Sequence, residues 1–401
     1  MKTALSCLVT LLGRRIRRGV RCYERDHNYQ TQMRELDTSV YTNKRLLSDY
    51  TCSELEDLFR TWDVEVYRAR QVFGIAYSRP RSSFNDFAPL PRELRSLLDE
   101  QFILSSVTIE RCQVSADGTR KYLFTLLDGA RIESELIPSE LLDEEGSPKR
   151  HTLCISTQAG CPLGCTFCAT ATLRLQRNLR TAEIVDQFLA VRKDTEIEIT
   201  NIVFMGMGEP LLNFDNVLHA VDIFTNETNK LIAAKRITLS TAGVVPGIMR
   251  LADEGRGIKL ALSLHATTNG LREQLMPIAR KYSLEDLGNA LEYYYRCTKI
   301  PVTYEYIVFK GLNDSEVDVR RLARIARRVP SKVNVIPFHS IDFTSPSGLS
   351  AELQSPSRSE IQQFVGALRN AGVHVMIRSS SGLDIDAACG QLALSEESSP
   401  Q

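Results

Sequence analysis

From residue 152 onward the chain alternates short strand-like runs with longer helical ones, and few architectures accept that pattern. Strand candidates are 153–156, 201–205, 236–239, 258–264, 302–308 and 332–337. Helical periodicity fills 181–193, 215–226, 245–254, 283–296 and 316–328 between them. Right-handed crossovers between parallel neighbours are the general solution for such alternation. The pattern predicts an α/β fold whose core is a partial (β/α)6 barrel. Functional groups in such barrels sit at the C-terminal ends of strands. A further helix at 358–370 and a strand at 373–378 precede the tail.

Directly after the first strand comes Gly-Cys-Pro-Leu-Gly-Cys-Thr-Phe-Cys, which places Cys161, Cys165 and Cys168 in a C-x3-C-x2-C run. Three thiolates hold three irons of a 4Fe–4S cube and leave the fourth iron open for chemistry. A zinc knuckle is the competing reading, but structural zinc wants four ligands, and His151 is the candidate fourth.

The other strand ends carry polar groups. Met205-Gly206-Met207-Gly208-Glu209-Pro210 follows the second strand, and Glu209 is an acceptor for a ligand ammonium. Ser240 ends the third strand, and Ser263, Leu264 and His265 end the fourth. Taken singly, each of these is as well explained by a turn or a structural hydrogen bond. Cys154 lies on the first strand, where a small buried hydrophobe is the bland reading. Cys389 lies in the polar, Gly-flanked run Asp384-Ile385-Asp386-Ala387-Ala388-Cys389-Gly390-Gln391-Leu392, which suggests a functional loop over the barrel mouth.

Upstream, residues 47–103 read as helices, with Ser53 a fair N-cap for the first. Residues 105–138 alternate like strands, with turns at Ala116-Asp117-Gly118 and Leu127-Asp128-Gly129. The expected organisation is a basic extension over 1–45, a small helical accessory domain over 46–104 and a short antiparallel sheet over 105–150 that links it to the barrel. The barrel then spans 151–385, and a tail over 386–401 carries Cys389.

Composition narrows the class. Lys+Arg and Asp+Glu are equal at 49 each, so net charge does not advertise a nucleic-acid partner. Ten cysteines in 401 residues are too sparse for a disulfide scaffold and point to a reducing cytoplasm. No apolar run approaches the ~20 residues of a membrane span. Residues 1–25 carry seven Lys/Arg and one acid, Glu24, with the charges placed wrongly for a secretory signal. A disordered basic arm is expected there, or an upstream start with Met33 as the alternative first residue. Arg174, Arg177, Arg180 and Lys235-Arg236 are candidate phosphate contacts near the mouth. The arginines 320, 321, 324, 327 and 328 read as the outer face of an amphipathic helix.

The cysteine run resembles the signature of radical S-adenosylmethionine enzymes. Taken with residues 205–210, 239–241, 263–265 and 384–392, in that order, the chain resembles the RlmN/Cfr family of RNA adenosine methyltransferases over about 45–393. That resemblance implies a cluster on Cys161, Cys165 and Cys168, and S-adenosylmethionine at Gly208, Glu209, Ser240, Ser263, Leu264 and His265. It also implies two S-adenosylmethionine molecules per turnover. The first methylates Cys389. The second yields a 5′-deoxyadenosyl radical that activates the methyl group for addition to carbon 2 of adenine. Cys154 then resolves the adduct, leaving a disulfide with Cys389. Glu133 matches the family's proton acceptor, although Cys154 remains a candidate for that step.

The implied substrates are 23S rRNA and the adenosine beside the anticodon of tRNA. An external electron donor and a disulfide reductant are implied as partners, and a monomer is expected. Methylation at carbon 8 is the alternative within the family, and a non-enzymatic zinc or RNA-binding protein is the alternative outside it. One departure stands out. His339 follows Ile336-Pro337-Phe338, where the family usually has Trp-Asn, so His339 takes the place of an expected cofactor contact.

Overall fold

The computed structural model describes residues 44–392 apart from Pro80, Glu145, Ser147, Ser379, Ser380 and Cys389. The basic extension up to residue 43, the alternative start at Met33 and Cys389, expected to carry the methyl group, therefore lie outside the described residues.

The first helices are Cys52–Thr61 (α1), Val66–Ser78 (α2) and Arg92–Gln101 (α3). Leu55 and Phe59 of α1 are buried, as are Val72 and Phe73 of α2. The N-cap of α1 is Thr51 rather than Ser53. Thr51 is extended, and its Oγ1 accepts from Glu54 N–H at 3.3 Å while the Glu54 carboxylate accepts from Thr51 N–H at 2.8 Å. The capping box starts two residues earlier than the apolar spacing suggested, because Cys52 already packs as a buried helical residue.

Ten strands form one sheet in strict chain order. Val107–Val114 (β1), Arg120–Leu126 (β2) and Arg131–Pro138 (β3) are antiparallel. The β1–β2 and β2–β3 turns place Gly118 and Gly129 at φ of +84° and +83°, a backbone region open to glycine. His151–Cys154 (β4), Asn201–Phe204 (β5), Ile237–Thr241 (β6), Lys259–Ser263 (β7), Val302–Val308 (β8), Ser331–Pro337 (β9) and Val375–Ile377 (β10) run parallel. The antiparallel strands do not stand apart as a separate linker. β3 pairs with β4, Glu135 opposite Cys154, so they extend the barrel's own sheet.

The crossovers are Thr181–Thr195 (α4), Phe214–Thr225 (α5), Val245–Glu254 (α6), Asn269–Leu275 (α7) with Leu284–Thr298 (α8), Glu316–Ala326 (α9) and Arg358–Asn370 (α10). Helices α8, α9 and α10 start at Ser283, Ser315 and Ser357, each in a capping box with the acid three residues on. Such side-chain caps satisfy amide donors that a helix start leaves open. Apolar residues between sheet and helices form the main core, including Leu153, Phe204, Leu239, Leu260 and Tyr304. The inner sheet face, by contrast, is polar. Thr152, Thr238, Lys259, Glu305 and Asn334 line a lumen cavity of about 510 Å3.

The cap assignment is testable by chemical denaturation. Thr51→Ala is expected to cost about 1 kcal/mol, the usual loss for an N-cap hydroxyl, and Ser53→Ala at most a few tenths. A larger loss for Ser53→Ala would reverse the assignment.

Candidate active site at the barrel mouth

Strand β4 ends at Cys154, and the chain then forms the cysteine loop. Its base is a short antiparallel pair, Gln158–Ala159 against Arg177–Asn178. Gly160 sits at φ +78°, and a Cβ there would lie 2.3 Å from the Arg174 carbonyl oxygen. The loop closes this tightly because residue 160 has no side chain. Cys161 N–H donates to Leu173 O at 3.2 Å, Cys168 N–H to Cys165 O at 3.2 Å and Thr166 N–H to Leu275 O at 3.0 Å.

Burial pushes all three thiols up, Cys161 to about 12, and for Cys161 and Cys165 the neighbouring cysteines add to the effect. The thiols of Cys161 and Cys165 also feel the Glu209 carboxylate, and Gly208 N–H approaches Cys161. Among the described residues no three His, Cys, Asp or Glu side chains are close enough to share one metal ion. A cube places each thiolate on its own iron, so its ligands need not meet at a point. Three half-buried thiols on one loop fit such a cluster better than a single zinc. Bound iron would favour the thiolate form that burial disfavours.

Glu209 lies beneath this loop, fully buried. Its Oε2 accepts from Ala242 N–H at 2.7 Å and its Oε1 from Leu211 N–H at 3.0 Å. Burial raises its carboxyl to about 7 against these bonds. Gly208 has φ +105°, and a Cβ would meet the Gln158 side chain at 2.6 Å, so the Gly-Glu turn presses directly on the loop base. Ser240 is buried on β6, and Ser263 is half-buried at the end of β7.

His265 takes φ +53° and packs edge-on against Phe167, ring centroids 4.8 Å apart, within the cysteine loop. Its Nδ1 accepts from Ile307 N–H at 3.0 Å, so the ring proton sits on Nε2. Burial, helped by the Arg272 charge, drives the imidazole down to about 3. His265 is therefore a neutral donor.

Sequence reasoning missed Arg272, on α7. It is 1% exposed, and its guanidinium donates to Ala242 O at 2.6 Å, Ser263 O at 3.2 Å and Leu264 O at 3.3 Å. Its Nη1 has no hydrogen-bond partner, and its charge acts on the Cys165 thiol. Nothing in Leu-Arg-Glu-Gln marks this arginine out from an exposed helical one. The buried Asn313, which donates to His265 O and Ile307 O at 2.8 Å each, was equally silent.

Glu133 on β3 and Cys154 on β4 are buried, and neither is among the residues lining the lumen cavity. Lys121 Nζ stands 4.0 Å from Glu133 Oε1, and Ser156 Oγ donates to Glu133 O at 2.5 Å. His339 lines the lumen cavity, whereas Gly208, Glu209, Ser240 and His265 sit outside its lining. Burial lowers the His339 pKa.

The tail docks on the cysteine loop. Ala169 N–H donates to Gly390 O at 2.7 Å, and Thr170 Oγ1 to Leu392 O at 2.6 Å. Asp384 accepts from Ser115 Oγ and Ala116 N–H at the β1–β2 turn, and Lys121 Nζ donates to Asp386 O at 3.2 Å. The residues flanking Cys389 are thus tied to the loop that carries the other thiols.

Several expected phosphate contacts are otherwise engaged. Arg177 forms a fork with Glu183 at 2.7 and 2.8 Å and also pairs with Asp128 at 2.6 Å, while Arg180 pairs with Asp49. Arg174 stays exposed. Lys235 and Arg236 precede β6 and so mark the opposite end of the barrel from the mouth. In the basic helix Val319 and Leu322 face inward, and Arg328 is held by Glu285 and Glu292.

Residues 155–323 match the family model of the radical SAM superfamily. The chain is 42% identical over 347 residues to a probable dual-specificity RNA methyltransferase RlmN of Flavobacterium johnsoniae, covering 86% of this chain and 95% of that relative. It is 45% identical over 341 residues to the dual-specificity RNA methyltransferase RlmN of Geobacter sulfurreducens, covering 84% and 89%. The solved radical SAM methyltransferase of Sphaerobacter thermophilus superposes with a TM-score of 0.79 at 39% identity, covering 86% of this chain and 98% of that one. With the cysteine loop, the Gly-Glu turn and the strand-end groups in this order on this barrel, the chain belongs to the RlmN family of radical S-adenosylmethionine RNA methyltransferases.

Proposed function

We propose that this enzyme methylates carbon 2 of an adenosine in 23S rRNA and in tRNA beside the anticodon. The observation that carries the reading is the docking of the Cys389 flanks on the cysteine loop, through Ala169–Gly390 and Thr170–Leu392. In this reading Cys161, Cys165 and Cys168 hold a 4Fe–4S cluster. Glu209, Ser240, Ser263, Leu264 and His265 bind S-adenosylmethionine, and His339 adds a contact from the lumen side. When bound, these groups supply the methyl unit and the radical that activates it.

The chain's own residues do the rest. Cys389 carries the methyl group as a thioether, because its Gly-flanked loop reaches both cofactor and RNA. Glu133, buried on β3, accepts the proton lost from the adenine carbon. One electron also leaves the adduct. The Cys154 thiolate then attacks the Cys389 sulfur, and the sulfur–carbon bond breaks with its electron pair passing to the adenine-bound carbon, which takes up a proton to become the methyl group; the RNA leaves, and the Cys154–Cys389 disulfide awaits an external reductant. Neutral His265 donates from Nε2 without adding charge. Arg272 holds the ends of β6 and β7 in register beneath the loop. The barrel over 151–385 supplies the catalysis, and the helical part over 46–104 serves as an accessory RNA-facing domain. The setting is a reducing cytoplasm, and the enzyme acts as a monomer.

Mass spectrometry of rRNA and tRNA from a deletion strain complemented with this chain tests the reaction. 2-Methyladenosine is expected, and 8-methyladenosine in its place would move the enzyme to the alternative carbon. Alanine at Cys161, Cys165 or Cys168 is expected to remove iron and the absorbance near roughly 400 nm; full loading of all three variants would sink the ligand set. Cys154→Ala is expected to accumulate a covalent protein–RNA conjugate, and Cys389→Ala to form none. Unlinked product at normal yield from Cys154→Ala would overturn the division of labour. Arg272→Lys keeps the charge but not the fork. It is expected to destabilise the protein by about 3 kcal/mol, in the range for breaking a buried charge's bonds, and to lower iron retention. Calorimetry and iron analysis read both effects.

A further inference from the structure

Strand β3 carries two carboxyl groups on one face, since residues two apart share a side of the sheet. Glu133 has a role in the proposed reaction. Glu135 has none assigned, and its environment calls for one. It is 3% exposed and lines the lumen cavity of about 510 Å3, a volume typical of small-ligand sites. It stands directly across from Cys154 in the β3–β4 register. Its Oε1 has no hydrogen-bond partner, an arrangement native proteins rarely leave in place without a ligand or water to fill it. On the facing strand β8, Glu305 lines the same cavity and also leaves one carboxylate oxygen, Oε2, without a hydrogen bond, while Asn334 Nδ2 holds the other at 2.9 Å.

The geometry points to Glu135 as the residue that reads the amino edge of the target adenine, its carboxylic acid O–H donating to ring nitrogen N1 and its carbonyl oxygen accepting from the exocyclic N6–H. The inference rests on the reading of the substrate as an adenosine. An enzyme that works on a base inside folded RNA must take it out of the stack and bind its edge by hydrogen bonds. A neutral carboxyl group offers one donor and one acceptor side by side, and adenine offers the complementary acceptor and donor at N1 and N6. Carbon 2 adjoins N1, so a base held this way at Glu135 keeps its reacting carbon on the wall that carries Glu133 and Cys154. Glu305 supplies a second acceptor across the lumen.

The charges around Glu135 favour the neutral acid. Burial and the Glu133 carboxylate raise its pKa to about 8, against the opposing pull of Arg378 and Lys121. Lys121 is instead ion-paired with Glu133 at 4.0 Å, and Arg378 stands 4.0 Å from Glu305 Oε2 and donates to Met205 Sδ at 3.2 Å. Glu140, Arg150, Lys259, Lys332 and His339 complete the titratable lining of the cavity, and Cys154 pairs with Glu135 across the ladder. The sign follows directly. The donor is present below about pH 8 and lost above it, where two acceptor oxygens would face adenine N1.

The test is equilibrium binding of adenosine 5′-monophosphate to the full chain, beside purine riboside 5′-monophosphate, which lacks the amino group. Wild type is expected to bind the adenosine nucleotide roughly tenfold more tightly at about pH 6.5 than at about pH 9.5, and roughly tenfold more tightly than the purine analogue at the lower pH. Glu135→Gln keeps a donor and an acceptor, so its affinity is expected to be retained and to lose its pH dependence. Glu135→Leu is expected to bind weakly at both pH values, with its thermal melting checked alongside. Equal affinity of wild type and Glu135→Leu for the adenosine nucleotide at about pH 6.5 would overturn the inference, as would an unchanged pH profile in Glu135→Gln. RNA methylation by wild type separates the two ideas. Methylated adenosine with equal nucleotide affinities defeats only the role of Glu135. Absence of methylated adenosine from every RNA defeats the reading of the reaction.

Discussion

The mouth of this barrel depends on one buried cation. Arg272 donates to carbonyls that follow β6 and end β7, and its charge acts on the thiol of Cys165. Strand ends are where a parallel sheet runs out of ladder partners, so their carbonyls need donors from elsewhere. A guanidinium reaches several at once because its donors form a rigid fork. Burial costs it charge stability, pushing its pKa down to about 10. The site keeps that cation beside Cys165, whose thiol also feels Cys161, Cys168 and the Glu209 carboxylate.

Much of the architecture was legible because it follows from local periodicity. The strand read at 302–308 is β8 without change, and the crossover helices fall within two residues of their expected bounds. β4 sits two residues earlier than its apolar run implied, because His151 and Thr152 pair with Pro138 and Ile137 of β3. That register belongs to a partner strand, and a run of Leu, Cys and Ile holds no trace of it. The antiparallel strands were visible too, but their continuity with the barrel was not, since pairing between β3 and β4 is a tertiary choice.

The chemistry was legible where residues cluster in sequence and illegible where the fold assembles them. Cys161, Cys165 and Cys168 announce themselves by spacing alone. Arg177 and Arg180 read as free cations, yet their partners Asp128 and Asp49 come from 49 and 131 residues away. Glu135 read as one more polar residue of an alternating strand. What distinguishes it is the company it keeps on the lumen face, with Glu133 beside it, Cys154 across the ladder and Glu305 on the far wall. Such a group acquires its character only when a sheet curls and removes it from water.

The docking of the tail also sets an order of assembly. Thr170 and Leu392 are 222 residues apart, yet their hydrogen bond helps close the covering over the cysteine loop. Contacts this distant in sequence carry a large loop-closure cost and form slowly. Residues 390–392 follow every strand and helix of the barrel in sequence, so a chain that stops short of them keeps the whole sheet and lacks both bonds to the loop.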